Sequence, residues 1–399
     1  MASCVERVFF VAIVHAFFGA AVAVVAADTP AAELVLSAPL DYQVVQRTSP
    51  GHGPLVIAGE LSEDAPQGAI VEVRLVEEGQ APAWQQAEGS VRGRHVAATL
   101  PAAAGGWRRL EVRVVHGARD IASATVPHVG VGELFVVAGQ SNSANYGAER
   151  QTPKTGRVAT FDGKAWRIAN DPQPGGTGGG GSFMPPLGDA LVERLGVPVG
   201  FIACGVGSSS VREWLPEGAT FPNPPTIKGR VVRLPDGTWA SKGHIYDQFV
   251  ARMKSVGPQG FRAVLWHQGE SDANQPDPSC TLPGALYREY LGRLIRDSRQ
   301  AIGWEAPWFV ALASYHVPGD EGSDDIRAAQ AAVCRDGLAI EGPDSDALKG
   351  QLRERNGQGV HFSGAGLREH AARWAEKVIP WIEKQGTEPR PTAGDRGPT

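Results

Sequence analysis

The feature that most constrains the fold is a change of pattern after Pro127. From there to Gln385, apolar runs of strand length alternate with amphipathic runs of helix length. "ELFVVAGQ" (133–140), "VPVGFIACG" (197–205), "FRAVLWHQ" (261–268) and "PWFVALAS" (307–314) are nearly continuous apolar runs. Such runs read as strands buried on both faces. "PLGDALVERLG" (186–196), "IYDQFVARMKSV" (245–256), "ALYREYLGRLIRDSRQAI" (285–302) and "GAGLREHAARWAEKVIPWIEKQ" (364–385) repeat apolar residues at helical spacing, and the first closes on a glycine stop. The pattern predicts an α/β domain over residues 128–385, a three-layer α/β/α arrangement around a parallel sheet. Sites in such sheets lie beyond the carboxyl ends of the strands.

Upstream, residues 28–127 carry short alternating runs such as "LVLSAPL", "AIVEVRLVEE" and "RRLEVRVVHG", separated by Pro, Gly, Asp and Ser. This predicts a β-sandwich-like accessory domain. Residues 1–27 read as a signal peptide, with an uncleaved membrane anchor as the rival, since about 20 apolar residues can span a bilayer. "MASCVER" precedes an apolar stretch broken only by His15, and Val25 and Ala27 supply small residues before the polar "DTP". The expected destination is the periplasm or the extracellular space, without stable membrane insertion after cleavage. Residues 386–399 are expected to be a disordered tail. Two further stretches poor in helix formers, 173–186 and 216–239, follow strand ends and could shape a cleft.

The formal net charge of −5 and the lack of a Lys/Arg block argue against a nucleic-acid partner. Of four cysteines, Cys4 lies in the leader, leaving Cys204, Cys280 and Cys334. Three cannot form a complete disulfide framework; a Cys280–Cys334 bridge stays open, as does the oligomeric state. His267 and Glu270 are three apart, but no further ligands at recognisable spacing join them, so no metal or cofactor is expected.

Three polar clusters sit just past strand ends: Gly139-Gln140-Ser141-Asn142, Gly205-Val206-Gly207-Ser208 and His267-Gln268-Gly269-Glu270. A fourth, Val360-His361-Phe362-Ser363, precedes the closing helix. Together they hold the parts of acyl transfer: a hydroxyl, an imidazole and several hydrogen-bond donors. Ser141 needs a base to become nucleophilic, and His361 can serve. Gly207 has no Cβ to keep a carbonyl oxygen from a backbone N–H, and Gln268 can donate from its side-chain amide. His267, Trp214 and Trp266 read as packing residues, and Arg212 as a surface charge.

The blocks "GQSN" (139–142), "ACGVGSSSVREW" (203–214), "LWHQGESDA" (265–273) and "GVHFSGAGL" (359–367) resemble, in order and spacing, the sialate O-acetylesterase-like branch of the SGNH hydrolases. The resemblance covers about 131–374. It implies a flavodoxin-like fold and a carbohydrate esterase acting on acetylated sugars without a cofactor. It also implies Ser141 as nucleophile and His361 as base, with Ser141, Gly207 and Gln268 as oxyanion donors and Glu270 as the residue orienting the histidine. Two positions depart from the family's pattern. Gln358 stands where members commonly carry Asp, leaving Glu270 or Asp272 to supply a carboxylate, and Ser208 replaces the second glycine of a pair. The rival readings are a catalytically weak esterase fold that binds glycans, and an esterase of small non-carbohydrate esters.

Overall fold

A computed structural model describes Met1 and residues 32–385, except positions 78 and 81. Beyond Met1, the leader and the tail 386–399 lie outside the described residues.

The architecture is mixed α/β, with a run of parallel strands at its centre. Strand Arg119–Gly139 is flanked by Val199–Ala203 on one side and Ala263–His267 on the other, both parallel to it. Beyond Val199–Ala203 come Val158–Phe161, parallel, and the short antiparallel Trp166–Ile168. Beyond Ala263–His267 come Trp308–Leu312 and Ile340–Asp344, both parallel. Alternation along the central strand explains its double burial. Leu134, Val136 and Ala138 join one apolar cluster with residues of helices His244–Lys254, Gly284–Ile302 and Asp324–Arg335. Phe135 and Val137 join another with residues of helices Met184–Leu195 and Gly364–Gln385.

The chain order of the strands reverses at the central one, since its two neighbours are reached in opposite directions across the sheet. Loops leaving adjacent strand ends therefore part and leave a crevice. Register puts Ala203 beside Val137 and His267 beside Gly139, so three of the polar clusters start next to one another. Gly139 has φ +125°, and a Cβ there would run into the His267 carbonyl. Close strand approach makes glycine necessary at this turn.

Within residues 34–116, Gln43–Gln46 pairs parallel to the long strand Arg119–Gly139, and the other strands are antiparallel, in two groups. Leu34–Ala38, His52–Leu61, His95–Ala103 and Glu88–Arg92 pair in that order. Ile70–Val76 and Gly105–His116 pair with each other, and the latter pairs with Arg119–Gly139. One apolar cluster joins both groups, including Leu55, Ile57, Val96, Val112 and Val129. The expected boundary at 127/128 thus falls inside a single strand, whose first part belongs to these antiparallel strands and whose second part belongs to the parallel run.

At that junction Glu133 is fully buried and accepts hydrogen bonds from Arg47 Nε (2.7 Å), Arg262 Nε and Nη2 (2.6 and 2.9 Å) and Gln46 Nε2 (2.9 Å). Breaking one side of such a buried cluster leaves uncompensated charge. Glu133→Ala is expected to destabilise the chain by about 3–5 kcal/mol. Urea unfolding measures this, and a loss under 1 kcal/mol (about the value of an exposed pair) would show the junction to be solvated.

The cysteine bridge left open by the sequence is not formed: Cys204, Cys280 and Cys334 are all free thiols. Cys280 sits in the short turn Pro278–Cys280 and Cys334 in helix Asp324–Arg335, each held by its own element. Among the described residues no helix is long and apolar enough to cross a membrane.

Candidate active site

Ser141 opens a 3-10 turn, Ser141–Ser143, directly beyond the central strand. Ser143 closes the turn by donating its N–H (2.9 Å) and hydroxyl (2.8 Å) to the Gln140 carbonyl. The Gln140 side chain accepts from the Ser271 N–H (2.9 Å) and Gln268 Nε2 (3.2 Å), tying the turn to the loop after His267. Asn142 Nδ2 donates to Glu270 Oε1 (3.0 Å) and the Val360 carbonyl (3.2 Å). Ser141 thus sits in a turn locked on both sides, while its own hydroxyl has no hydrogen-bond partner among the described residues. It opens onto a cleft of about 630 Å³ also lined by Glu270, His316, Glu354, Arg355 and His361.

His361 presents its ring to the same cleft. Its Nδ1 lies 3.0 Å from Glu354 Oε1, and its Nε2 has no partner among the described residues. The Glu354 N–H donates to the His361 carbonyl (2.8 Å), so main chain and side chain of one residue hold the histidine. Tyr146 packs on the ring, with centroids 5.3 Å apart.

Glu354 lies seven positions before the histidine and was not singled out from the sequence. It reaches the imidazole because Arg355 (φ 53°, ψ 44°) and Asn356 (φ 57°, ψ 39°) turn the chain back on itself in the left-handed region. That conformation costs roughly 1–2 kcal/mol per L-residue, a form of strain that clusters at functional sites. The readable signal was "ERNGQG": Asn-Gly marks a tight turn, and a tight turn brings flanking side chains together.

The other expected carboxylates sit elsewhere. Glu270 is buried and faces Asn142, with Oε2 unpartnered among the described residues, and no hydrogen bond joins it to His361. Asp272 is buried deeper still. Its oxygens accept from the Ser210 hydroxyl (2.5 Å), the Val211 N–H (2.9 Å), Gln268 Nε2 (2.7 Å) and Arg212 Nη2 (3.2 Å). Arg212, expected at the surface, is wholly buried. Besides Asp272 it binds the carbonyls of Asn223 (2.9 Å), Pro224 (3.0 Å) and Cys280 (2.8 Å), so it staples the insertion to the site loops. Gln358 lines the cleft but makes no hydrogen bond to the imidazole.

The expected oxyanion donors divide in the same way. Gln268 Nε2 is directed at Asp272, Gln140 and the Ser209 carbonyl (3.1 Å), and the side chain is fully buried. The Gly207 N–H donates to Thr177 Oγ1 (2.7 Å). Glycine is needed at 207 for a reason other than carbonyl access: a Cβ there would strike the Tyr146 hydroxyl. Ser208 lines the cleft at φ +54°, the left-handed conformation that glycine adopts without strain. Thr177 belongs to the glycine-rich stretch, which is tied down by Thr177 N–H to Gly205 carbonyl (2.9 Å) and Asn145 N–H to Thr177 carbonyl (3.0 Å). The insertion folds into three short strands, Thr220–Phe221, Val231–Arg233 and Trp239–Ser241, and brings Thr226 and Ile227 to the cleft.

The loop between Gly207 and Trp214 is held by a capping box: Ser210 caps the turn Val211–Trp214, and Glu213 accepts from the Ser210 N–H (2.6 Å). Burial pushes the Glu213 carboxyl up to about 7, while the Ser210 N–H and Arg230 pull the other way. A carboxyl raised on folding stabilises the fold fully below its unfolded value. That contribution is lost as pH rises through about 7. Wild type is therefore expected to lose stability relative to Glu213→Gln across this window, by at most about 1.4 kcal/mol per pH unit. Parallel denaturant midpoints for the two chains from pH 5 to 8 would contradict this.

The profile of the family described as carbohydrate esterase, sialic acid-specific acetylesterase matches residues 131–380, more than half of the chain. The chain belongs to this family. It is accordingly a carboxylic ester hydrolase of the acetylesterase kind. No curated protein matches the sequence. Among solved structures, a carbohydrate acetylesterase from Xanthomonas citri is similar in fold, with TM-score 0.51 and 19% identity over 86% of this chain and 73% of that one. A carbohydrate esterase family 2 enzyme with a carbohydrate binding domain, from Corynascus thermopiles (Myceliophthora fergusii), aligns at 12% identity and TM-score 0.35. That alignment covers 88% of this chain and 99% of that one. In the esterase, all four motif blocks fall within the matched residues, and each contributes to the cleft beside the insertion and the segment after strand Trp308–Leu312.

Proposed function

We propose that the esterase removes acetyl groups from sugars through a serine-linked acetyl-enzyme. The observation that carries this reading is one cleft holding a serine hydroxyl and a histidine Nε2, both without a partner among the described residues, with a carboxylate on the histidine's Nδ1. Ser141 Oγ attacks the acetyl carbonyl carbon while its proton passes to His361 Nε2. The tetrahedral intermediate expels the sugar oxygen, which takes that proton and leaves as the alcohol. Water then attacks the acetyl-serine, giving its proton to His361. Collapse releases acetate and returns the proton to Ser141. Glu354 holds the Nδ1–H tautomer and offsets the charge of the imidazolium.

The oxyanion is held by the N–H groups of Ser141 and Ser208, residues that both line the cleft, because the donors of Gly207 and Gln268 are engaged elsewhere. A catalytically weak glycan-binding fold was motivated by Gln358 standing where Asp is common; a carboxylate on His361 from Glu354 removes that motive. The two apolar clusters support the three-layer description of the parallel region, and the single cluster between the antiparallel groups supports the sandwich description. Export rests on the apolar stretch before Ala27.

Acetate release from a panel of singly acetylated neutral and acidic sugars, beside p-nitrophenyl acetate, tests the substrate class. Turnover of the aryl ester with none of any sugar would replace the sugar reading with that of a small-ester hydrolase.

A further inference from the structure

The cleft holds a second imidazole, His316, in a segment that follows strand Trp308–Leu312 and that no motif covers. Its Nδ1 lies 2.6 Å from Asp320 Oδ2 and its Nε2 lies 2.6 Å from the main-chain carbonyl of Glu270. A carbonyl oxygen only accepts, as does an ionised carboxylate. The ring thus bridges two loops, with Nε2 at the Glu270 carbonyl and Nδ1 at the Asp320 carboxyl.

We propose that His316 clasps the 316–320 loop to the loop after His267, and that this clasp positions the nucleophile's turn. The clasp has its own support. Asp320 Oδ1 accepts from Asn274 Nδ2 (2.7 Å), fixing the carboxylate, and the His316 N–H donates to the Asp320 carbonyl (3.0 Å). The charged groups around it come from every neighbouring segment. Asp320 is on its own loop, and Glu270 is on the loop after His267. Glu321 is paired with Lys349 at 2.6 Å, Arg353 stacks over Tyr315, and Glu354, Arg355 and His361 line the same cleft.

The route to the nucleophile is short. His316 fixes the main chain of Glu270, whose side chain holds Asn142, the residue after Ser141. The Glu270 carbonyl also accepts from Gln275 Nε2 (2.8 Å), so His316 supplies one of two anchors on it. His316 is a positioning residue: its two nitrogens are engaged, whereas the Nε2 of His361 is bare, which is why His361 and not His316 is assigned the base.

The inference rests on reading Ser141 as the nucleophile, and its test separates the two. In the full chain, amide hydrogen exchange over residues 269–275 and 316–320 is expected to be faster in His316→Gln and in Asp320→Asn than in wild type. His316→Gln is expected to lower kcat for p-nitrophenyl acetate about tenfold, with KM changed less than twofold, whereas a purely structural role would lower the unfolding midpoint and leave kcat at 25 °C untouched. Unchanged exchange in both variants overturns the clasp, and an unchanged kcat overturns its link to Ser141. Because exchange is read without substrate, it decides the clasp even if Ser141→Ala remains active, a result that would overturn the nucleophile instead.

Discussion

Ser141→Ala is expected to abolish ester hydrolysis, lowering kcat by about 10⁴-fold or more, since it removes the hydroxyl that the proposed mechanism acylates. The reason is structural as well as chemical. The turn that presents Ser141 is closed by Ser143 and anchored through Gln140 and Asn142, none of which depends on the Ser141 hydroxyl. That hydroxyl makes no hydrogen bond among the described residues, so its removal leaves no partner unsatisfied. The unfolding midpoint is therefore expected to stay within about 0.5 kcal/mol of wild type. Rates on p-nitrophenyl acetate, read beside a denaturant melt, measure both. A variant that folds and still turns over at wild-type rate would remove Ser141 from the mechanism.

The second large effect is expected at a residue that sequence reasoning did not select. Glu354→Gln keeps an oxygen able to accept from His361 Nδ1 but removes the charge that stabilises the imidazolium. A fall in kcat of about 10²-fold is expected, with KM little changed. Glu354→Ala, which also frees the ring to rotate, should fall toward the 10⁴-fold loss seen when a histidine is held in the wrong tautomer. Gln358→Ala, three residues before the histidine, is expected to stay within about threefold of wild type, the scale of a surface change. A chain in which Gln358→Ala is the more damaging change, and Glu354→Gln is neutral, would return the orienting role to the position the family commonly uses.

These two residues mark how far the sequence could be read. Ser141 and His361 were legible because each sits at a recognisable end of a periodic segment, and burial on both faces makes such segments stand out. The same logic missed helix Asp324–Arg335 and strand Ile340–Asp344, the last parallel strand. That strand reads "IEGPD", with a glutamate and a proline where the other strands are continuously apolar, because it lies at the edge of the sheet. Arg212 was misplaced at the surface for a related reason: charge alone predicts exposure unless a buried partner is known, and Asp272 lies 60 positions away.

By itself the sequence determined the parallel α/β plan, the order of the blocks and the strand ends at which the reactive groups gather. Those follow from periodicity, which is local and survives in a one-dimensional record. Which carboxylate meets His361, which amides are already occupied and which imidazole is clasped were decided only by the tertiary structure. Each depends on two groups coming within about 3 Å through irregular loops. In Glu354 the approach is made by two left-handed residues, and in Gln268 by a buried network from three separate loops; no spacing along the chain encodes either.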